Sequence, residues 1–271
     1  MLINAVPQWQ GAVNRRATEL PAGCLELAQM VGRVLGEPVH EVAQQSTGSS
    51  TVDGVANREV LVGANRVAQL AALEAPGGPV LTVGGDCGVE LVPIGVARFR
   101  YGQGLGVAWF DAHPDLNTAS SSPSGAFHGM VLRSLFGEGD AEFAASPALQ
   151  RGRAVLVGAR VFDPAEREAV EGGLVAHIPV PGDPASVTSA LRAAQRVYLH
   201  VDLDVLNPGE FSGLNYPEPG GLTIDQLVAG IRALADFEVI GAGITECVGT
   251  GPQLRLLEPV IDAIGELLKP A

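Results

Sequence analysis

Short apolar runs alternate along this chain with longer segments whose apolar residues recur at helical spacing. The apolar runs occupy residues 79–83, 106–110, 154–158, 174–180, 197–205 and 239–245. The segments with apolar residues near positions i, i+3, i+4 and i+7 occupy residues 58–75, 184–196, 223–236 and 254–268. Strands and helices that alternate in this way form βαβ units. Because the runs are apolar throughout, the strands are buried on both faces, so the pattern predicts a mostly parallel sheet with helices on both sides.

Composition limits the class of protein. The chain has 271 residues, of which 46% are hydrophobic, so it is long enough to bury a large core, and we expect one domain over residues 1–271. The formal charge of −13 disfavours nucleic acid or an anionic membrane as a partner and favours a protein that attracts cations. Three cysteines are too few for a disulfide scaffold. No export signal or apolar stretch of about 18 residues is present, so we expect a cytoplasmic protein.

Two acidic clusters carry the chemistry. Asp111, His113 and Asp115 follow the run 106–110 at spacings of two, and Asp202 and Asp204 repeat that spacing at a later strand end. Alternate residues of an extended segment point to one side, so these groups converge. Buried carboxylates need a counter-charge, and neither cluster has a basic neighbour in sequence. An oxygen-rich set with one imidazole suits Mn²⁺ or Mg²⁺, and so many carboxylates can hold two ions about 3.5 to 4 Å apart.

Two irregular loops also follow strand ends. They cover residues 118–126 and 207–221. Ligands of open parallel sheets bind at the carboxyl ends of the strands, so both loops are candidate site loops.

The order of the polar motifs resembles that of the ureohydrolase family, which includes arginases, agmatinases and formiminoglutamases. The resemblance covers residues 80–250 and depends on five motifs: GGD at 84–86, DAHPD at 111–115, SGAFHGM at 124–130, DLD at 202–204 and TE at 245–246. It implies a three-layer α/β/α fold, a binuclear manganese site at the strand ends, and hydrolysis of a guanidino or formimino group. It also implies a homo-oligomer, either a trimer or a hexamer.

Carried over residue by residue, the family pattern makes Asp111 and Asp202 the carboxylates shared by two Mn²⁺ ions. His113 and Asp204 complete the ligand set of one ion. Asp115 is a ligand of the other ion, which in the family is also bound by a histidine directly after GGD. Here that position is Cys87. A thiolate is a softer ligand than imidazole, so the ion beside Cys87 is expected to bind weakly, to be absent or to be another metal.

The resemblance also implies roles in catalysis and substrate binding. Glu246 pairs with the substrate's guanidinium, Asp115 orients the nucleophile, and His128 protonates the leaving amine, a task that suits an ordinary imidazole pKa. The nucleophile is a hydroxide shared by the two ions. The residues that resemble those holding the α-carboxylate and α-amino group of arginine are Asn117, Thr118, Ser124 and Asp163.

Those four residues favour L-arginine, which would give urea and L-ornithine, over agmatine, which has no carboxylate. Three positions depart from the arginase pattern, namely Ala126, Asn207 and Val248. Agmatine, a formimino amino acid and an N-hydroxylated guanidine therefore remain alternative substrates.

Two functions of other classes remain open. One is a metal-independent pseudoenzyme that only binds a guanidino compound. The other is a cysteine hydrolase with Cys87 as the nucleophile, which needs a lowered thiol pKa and a nearby base. His200 shares strand parity with Asp202 and Asp204 but lies deeper, so we expect it to be a core residue and not a ligand.

Overall fold

The strands of the computed structural model match the apolar runs of the sequence. The structure describes residues 1–74, 78–180 and 182–269. In these ranges the strands are β1 to β8 in chain order: Leu2–Val6, Val39–Glu41, Val80–Gly84, Leu105–Phe110, Ala154–Val157, Ala176–Ile178, Arg196–Asp202 and Glu238–Thr245. Each of the six predicted runs forms one of β3 to β8.

All eight strands belong to one sheet, in the order β2-β1-β3-β8-β7-β4-β5-β6. Every pairing is parallel, which confirms the predicted sheet. The register aligns the carboxyl ends of the central strands, with Phe110 opposite Val201 and Asp202 opposite Thr245. Polar residues that follow β3, β8, β7 and β4 therefore meet along one edge.

Helices cover both faces of the sheet. The described α-helices are α1 to α9 in chain order: Leu20–Leu35, Arg58–Val60, Arg66–Ala72, Leu91–Tyr101, Val131–Leu135, Pro164–Glu171, Pro184–Ala190, Ile224–Arg232 and Glu258–Leu268. Alternate residues of β4 enter different cores, because Ala108 and Phe110 pack with α1, α7, α8 and α9, whereas Val107 and Trp109 pack with α4 and α5. The three-layer α/β/α fold is thus confirmed.

Several elements differ from the sequence prediction. The strands β1 and β2 and the helices α4, α5 and α6 were not predicted. The predicted helix over 58–75 ends within the described residues at Ala72 and is interrupted at Leu61–Asn65, where Gly63 has a non-helical ψ of −113°; residue 75 lies outside the described residues. The predicted helix over 184–196 stops at Ala190, and its last predicted residue, Arg196, begins β7.

The strand order creates a crevice. The chain passes from β3 through α4 to β4, and β8 and β7 later fill the gap between them. In parallel sheets, ligands bind outside the carboxyl ends of strands at such a reversal of strand order. Among the described residues, no helix has the length and apolar character needed to cross a membrane.

Candidate metal centre and active site

Four neighbouring strand ends place the predicted site residues together. Asp111 follows β4, Asp202 ends β7, Glu246 follows β8, and Cys87 lies three residues beyond β3. None of the four side chains is more than 4% exposed. The structure thus gathers residues that are up to 159 positions apart in sequence.

One part of the site, called here the His113 half, consists of Asp111, His113 and Asp204. The Nδ1 atom of His113 lies 3.0 Å from Asp204 Oδ2 and 3.6 Å from Asp111 Oδ1. Trp109 Nε1 donates to Asp111 Oδ2 at 2.9 Å, and the Ala112 backbone N–H donates to Asp204 Oδ1 at 3.0 Å. One ligand atom from each of the three residues lies within 4.8 Å of the others, so this half can hold one ion.

The other part, called the Cys87 half, consists of Cys87, Asp202 and Glu246. The Cys87 thiol donates to Asp202 Oδ2 at 3.1 Å and lies 3.0 Å from Thr245 Oγ1. The Cys87 backbone N–H donates to Glu246 Oε1 at 3.0 Å. Ligand atoms of the three residues again lie within 4.8 Å of one another. Cys87 is therefore a buried thiol between two carboxylates, within reach of atoms that could hold a metal ion.

The electrostatics of the cluster favour cations. Burial raises the pKa of Asp111 and of Asp202, and the neighbouring carboxylate of Asp204 raises both pKa values further. Burial alone would lower the pKa of His113, but Asp204 and Asp111 hold it well above its ordinary value. A protonated imidazole thus offsets part of the negative charge. Divalent ions would offset it more fully, so the donor set fits a metal centre.

Asp115 completes the set of predicted metal ligands. Its side chain is 4% exposed, and its Oδ2 atom has no hydrogen-bond partner among the described residues. Its φ of +53° lies in the left-handed region, which a residue other than glycine rarely adopts. Backbone strain together with an unpaired buried carboxylate oxygen is typical of a functional position.

Cys87 is poorly suited to act as a nucleophile. Its side chain is fully buried. Burial raises the pKa of its thiol well above the ordinary value, and the carboxylates of Asp202 and Glu246 raise it further. Thiolate is the reactive form, so these surroundings disfavour a cysteine hydrolase.

Glu246 is held by donors on both of its oxygens. His128 Nδ1 lies 2.9 Å from Oε1, which also accepts from the Cys87 backbone. Asn215 Nδ2 donates to Oε2 at 2.7 Å, and Asn14 Nδ2 donates to Asn215 Oδ1 at 2.9 Å. A carboxylate offers about four acceptor positions, so one position on Oε2 is left for a further donor. Glu246 also has a left-handed φ of +64°.

The residues predicted to contact an α-amino acid lie in the segments that follow β4 and β5. Asn117 Nδ2 donates to Asp163 Oδ2 at 2.8 Å, and Asn117 Oδ1 accepts from Ser121 Oγ at 2.8 Å. The Thr118 backbone N–H donates to the same Ser121 hydroxyl at 2.9 Å. Ser124 is exposed, further along the same loop. The structure therefore joins Asn117, Thr118 and Asp163 in one hydrogen-bonded group and leaves Ser124 outside it.

The motifs did not identify two residues of the loop 207–221, although the loop itself was a predicted site loop. Asn215 contacts Glu246, as described above. The Tyr216 ring centroid lies 5.4 Å from that of His128 and 5.9 Å from that of His113. Arg160 connects this loop to the segment after β7. Its Nη2 donates to the carbonyl of Asp204, just after β7, at 2.8 Å and to the carbonyl of Glu218, in the loop, at 2.9 Å. The only sequence signal for these residues was the position of the loop after a strand.

The fold and the site define a class. This is a parallel three-layer α/β/α protein whose central strand ends converge on buried carboxylates and imidazoles, which together form a candidate metal centre. A family model described as "Arginase family" matches residues 15–250. The chain therefore belongs to the arginase family.

Known relatives agree with this assignment. The chain is 30% identical over 269 residues to the N(omega)-hydroxy-L-arginine amidinohydrolase of Streptomyces lavendulae, covering 97% of this chain and 94% of the relative. It is 31% identical over 173 residues to the arginase of Bacillus caldovelox, so the match spans only 58% of that relative's length and 59% of this chain. A solved structure of Bacillus caldovelox arginase superposes with a TM-score of 0.84 at 22% identity, covering 99% of this chain and 98% of that chain, which shows a common fold.

Proposed function

We propose that this protein hydrolyses the guanidino group of an α-amino acid, with L-arginine as the first candidate substrate and urea and L-ornithine as products. One observation carries the proposal. The buried carboxylate of Glu246 lies beside a cluster of candidate metal ligands and keeps an acceptor position on Oε2. A guanidinium is a planar cation with N–H donors that suit such a carboxylate.

The residues fit a centre of two divalent ions. Asp111, His113 and Asp204 would hold one ion. The other would be held by Cys87, Asp115 and Asp202, with Asp111 and Asp202 shared. When bound, the ions would supply Lewis-acid activation of water near neutral pH. We propose Mn²⁺ for the His113 half, since its ligands are oxygen atoms and one imidazole nitrogen.

The side chains around the ions would bind the substrate and move protons. Glu246 would hold the guanidinium, and Asn215 would keep Glu246 in place. His128 uses Nδ1 to contact Glu246, so Nε2 is the nitrogen left to protonate the leaving amine. Burial lowers the pKa of His128, but Glu246 outweighs that effect and the net pKa is raised, which keeps the proton available. Asp163 would face the α-ammonium group.

N-hydroxy-L-arginine is the second candidate substrate. The relative that matches nearly the whole chain bears the name of an N(omega)-hydroxy-L-arginine amidinohydrolase. Hydrolysis of the same carbon–nitrogen bond would give hydroxyurea and L-ornithine. An N-hydroxyguanidine is less basic than a guanidine and therefore suits a centre in which one ion binds less tightly.

A substrate panel tests the proposal. Purified protein with added Mn²⁺ is assayed with L-arginine, N-hydroxy-L-arginine, agmatine and a formimino amino acid, while bound metal is measured by elemental analysis. We expect ornithine from one or both of the first two compounds. The proposed hydrolase activity is contradicted if the protein binds metal but releases no ornithine, no urea or hydroxyurea and no formamide from any of the four compounds. Protein that binds arginine in calorimetry but no metal supports the pseudoenzyme instead, and size-exclusion chromatography tests the predicted trimer or hexamer.

A further inference from the structure

A second imidazole lies directly behind the Cys87 half. His200 is on β7, two residues before Asp202, and its side chain is fully buried. Its Nε2 atom lies 3.6 Å from Cys87 Sγ. Its ring stacks on Trp109, with ring centroids 3.6 Å apart and an interplanar angle of 22°. Its predicted place in the core is confirmed, but the ring extends from the core to the substituted ligand position.

Three polar atoms on the side of His200 away from Cys87 have no hydrogen-bond partner in the described part of the chain. The Nδ1 atom of His200 and both carboxylate oxygens of Glu90 have no hydrogen-bond partner among the described residues, and Glu90 is fully buried too. Nδ1 lies 3.8 Å from Glu90 Oε2. Buried polar groups without partners are rare and call for an explanation. A carboxylate near the far nitrogen of an imidazole is a common accompaniment of a histidine that binds metal.

We propose that His200 is a ligand of the ion in the Cys87 half, so that β7 supplies the imidazole that position 87 lacks. One ligand atom each from Cys87, Asp111 and His200 lies within 4.8 Å of the others. An ion about 2.3 Å from sulfur and about 2.1 Å from nitrogen, with tetrahedral geometry, places those two atoms about 3.6 Å apart. The observed separation of Sγ and Nε2 is 3.6 Å.

This ligand set selects a different metal from the His113 half. Thiolate, imidazole and carboxylate together suit a borderline ion such as Zn²⁺ or Co²⁺ better than Mn²⁺. Binding would require the thiolate, so the thiol proton would be released to solvent. The inference rests on the proposed metal-dependent function and assigns different ions to the two halves of one centre.

The test measures metal binding directly. Metal-free protein is titrated with Zn²⁺ by calorimetry and with Co²⁺ by absorption, and the Zn²⁺ protein is analysed by X-ray absorption. His200→Phe keeps a flat ring against Trp109 but removes both nitrogens. We expect this variant to lose one nitrogen neighbour of Zn²⁺ and at least about 100-fold in Zn²⁺ affinity, since residues that only support ligands already contribute 10- to 100-fold. Cys87→Ser should abolish the sulfur-to-Co²⁺ charge-transfer band.

Controls separate this inference from the proposed function. His113→Ala should weaken Mn²⁺ binding and keep the sulfur-to-Co²⁺ band, because it alters only the other half. His200→Gln provides a second variant if His200→Phe does not fold by circular dichroism. The inference is overturned if the wild-type protein shows the sulfur-to-Co²⁺ band but the His200 variant keeps the same number of nitrogen neighbours around Zn²⁺ and the same Zn²⁺ affinity. That outcome leaves the proposed function intact. A wild-type protein that binds no divalent ion overturns both.

Discussion

The two halves of the candidate centre lie on the same carboxylate cluster but differ in exposure and chemistry. In the His113 half, the imidazole is 26% exposed and lies between the carboxylates of Asp111 and Asp204. In the Cys87 half, the thiol is fully buried and contacts Asp202, Thr245 and the ring of His200. One half is open and built from hard ligands, whereas the other is closed and contains a soft one.

The two halves also differ in where their imidazole comes from, because His113 follows β4, whereas the imidazole beside Cys87 is that of His200 on β7. A thiol is shorter than an imidazole, and the space behind it holds His200 stacked on Trp109. Trp109 in turn donates to Asp111, which belongs to the His113 half. The two halves are therefore connected through one tryptophan.

Removing a carboxylate that both halves need should have the largest effect. Asp202 accepts from the Cys87 thiol and from the Asp204 backbone N–H. Asp202→Ala should lower kcat/KM for the best substrate by more than about 100-fold. Substitution of residues that only support metal ligands already lowers activity or metal affinity by about 10- to 100-fold. Steady-state product release with saturating Mn²⁺ measures the effect. Asp225→Ala, which alters an exposed aspartate of α8, serves as the matched control, and equal losses in both variants would contradict the assignment.

Restoring an imidazole should make the two halves more alike. Cys87→His should tighten Mn²⁺ binding in the Cys87 half by about 10-fold or more, because imidazole suits Mn²⁺ better than a thiolate does. Calorimetric titration gives the stoichiometry and both affinities. Cys87→Ser removes the thiolate without adding an imidazole and should not tighten binding. Unchanged stoichiometry and affinity in Cys87→His would show that position 87 is not a ligand.

Loosening Glu246 should affect substrate binding more than metal binding. Asn215 donates to Glu246 Oε2 at 2.7 Å, and a hydrogen bond to a charged group contributes about 1.5 to 3 kcal/mol. Asn215→Ala should therefore raise KM about 10-fold while the metal content stays the same. Ser212→Ala, at an exposed position of the same loop, is the control. If KM is unchanged, Glu246 does not depend on this loop.

The smallest effect concerns the aromatic ring of Tyr216, which lies near His113 and His128. Tyr216 lies near His128 and His113 through its ring, and contacts of this kind depend on the aromatic face. Tyr216→Phe should keep kcat/KM within about threefold of the wild type, and Tyr216→Ala should lower it further. A large loss in Tyr216→Phe would instead assign a role to the hydroxyl. Both variants are compared at one metal concentration.

Much of the fold followed from local pattern. The apolar runs predicted six of the eight strands, because strands buried on both faces need apolar residues at every position. The strands β1 and β2 were missed, since Asn4 interrupts the apolar residues of β1 and two of the three residues of β2 are polar. The spacing of Asp111, His113 and Asp115 predicted that they converge on an extended segment. The structure brings Asp111 and His113 together, but on a bent segment after β4 in which Asp115 has a left-handed φ.

The sequence by itself determined the alternation of strands and helices, the two acidic clusters and the presence of a cysteine after GGD. Only the tertiary structure decided that β8 and β7 lie between β3 and β4, which brings Cys87 to Asp202, 115 positions away. The same strand order places His200 behind Cys87 and Asn215 against Glu246. The periodicity of apolar residues along a strand indicates which face of the sheet each residue occupies. Which residues become neighbours across a parallel sheet depends on the order of the strands, and no local sequence pattern specifies that order.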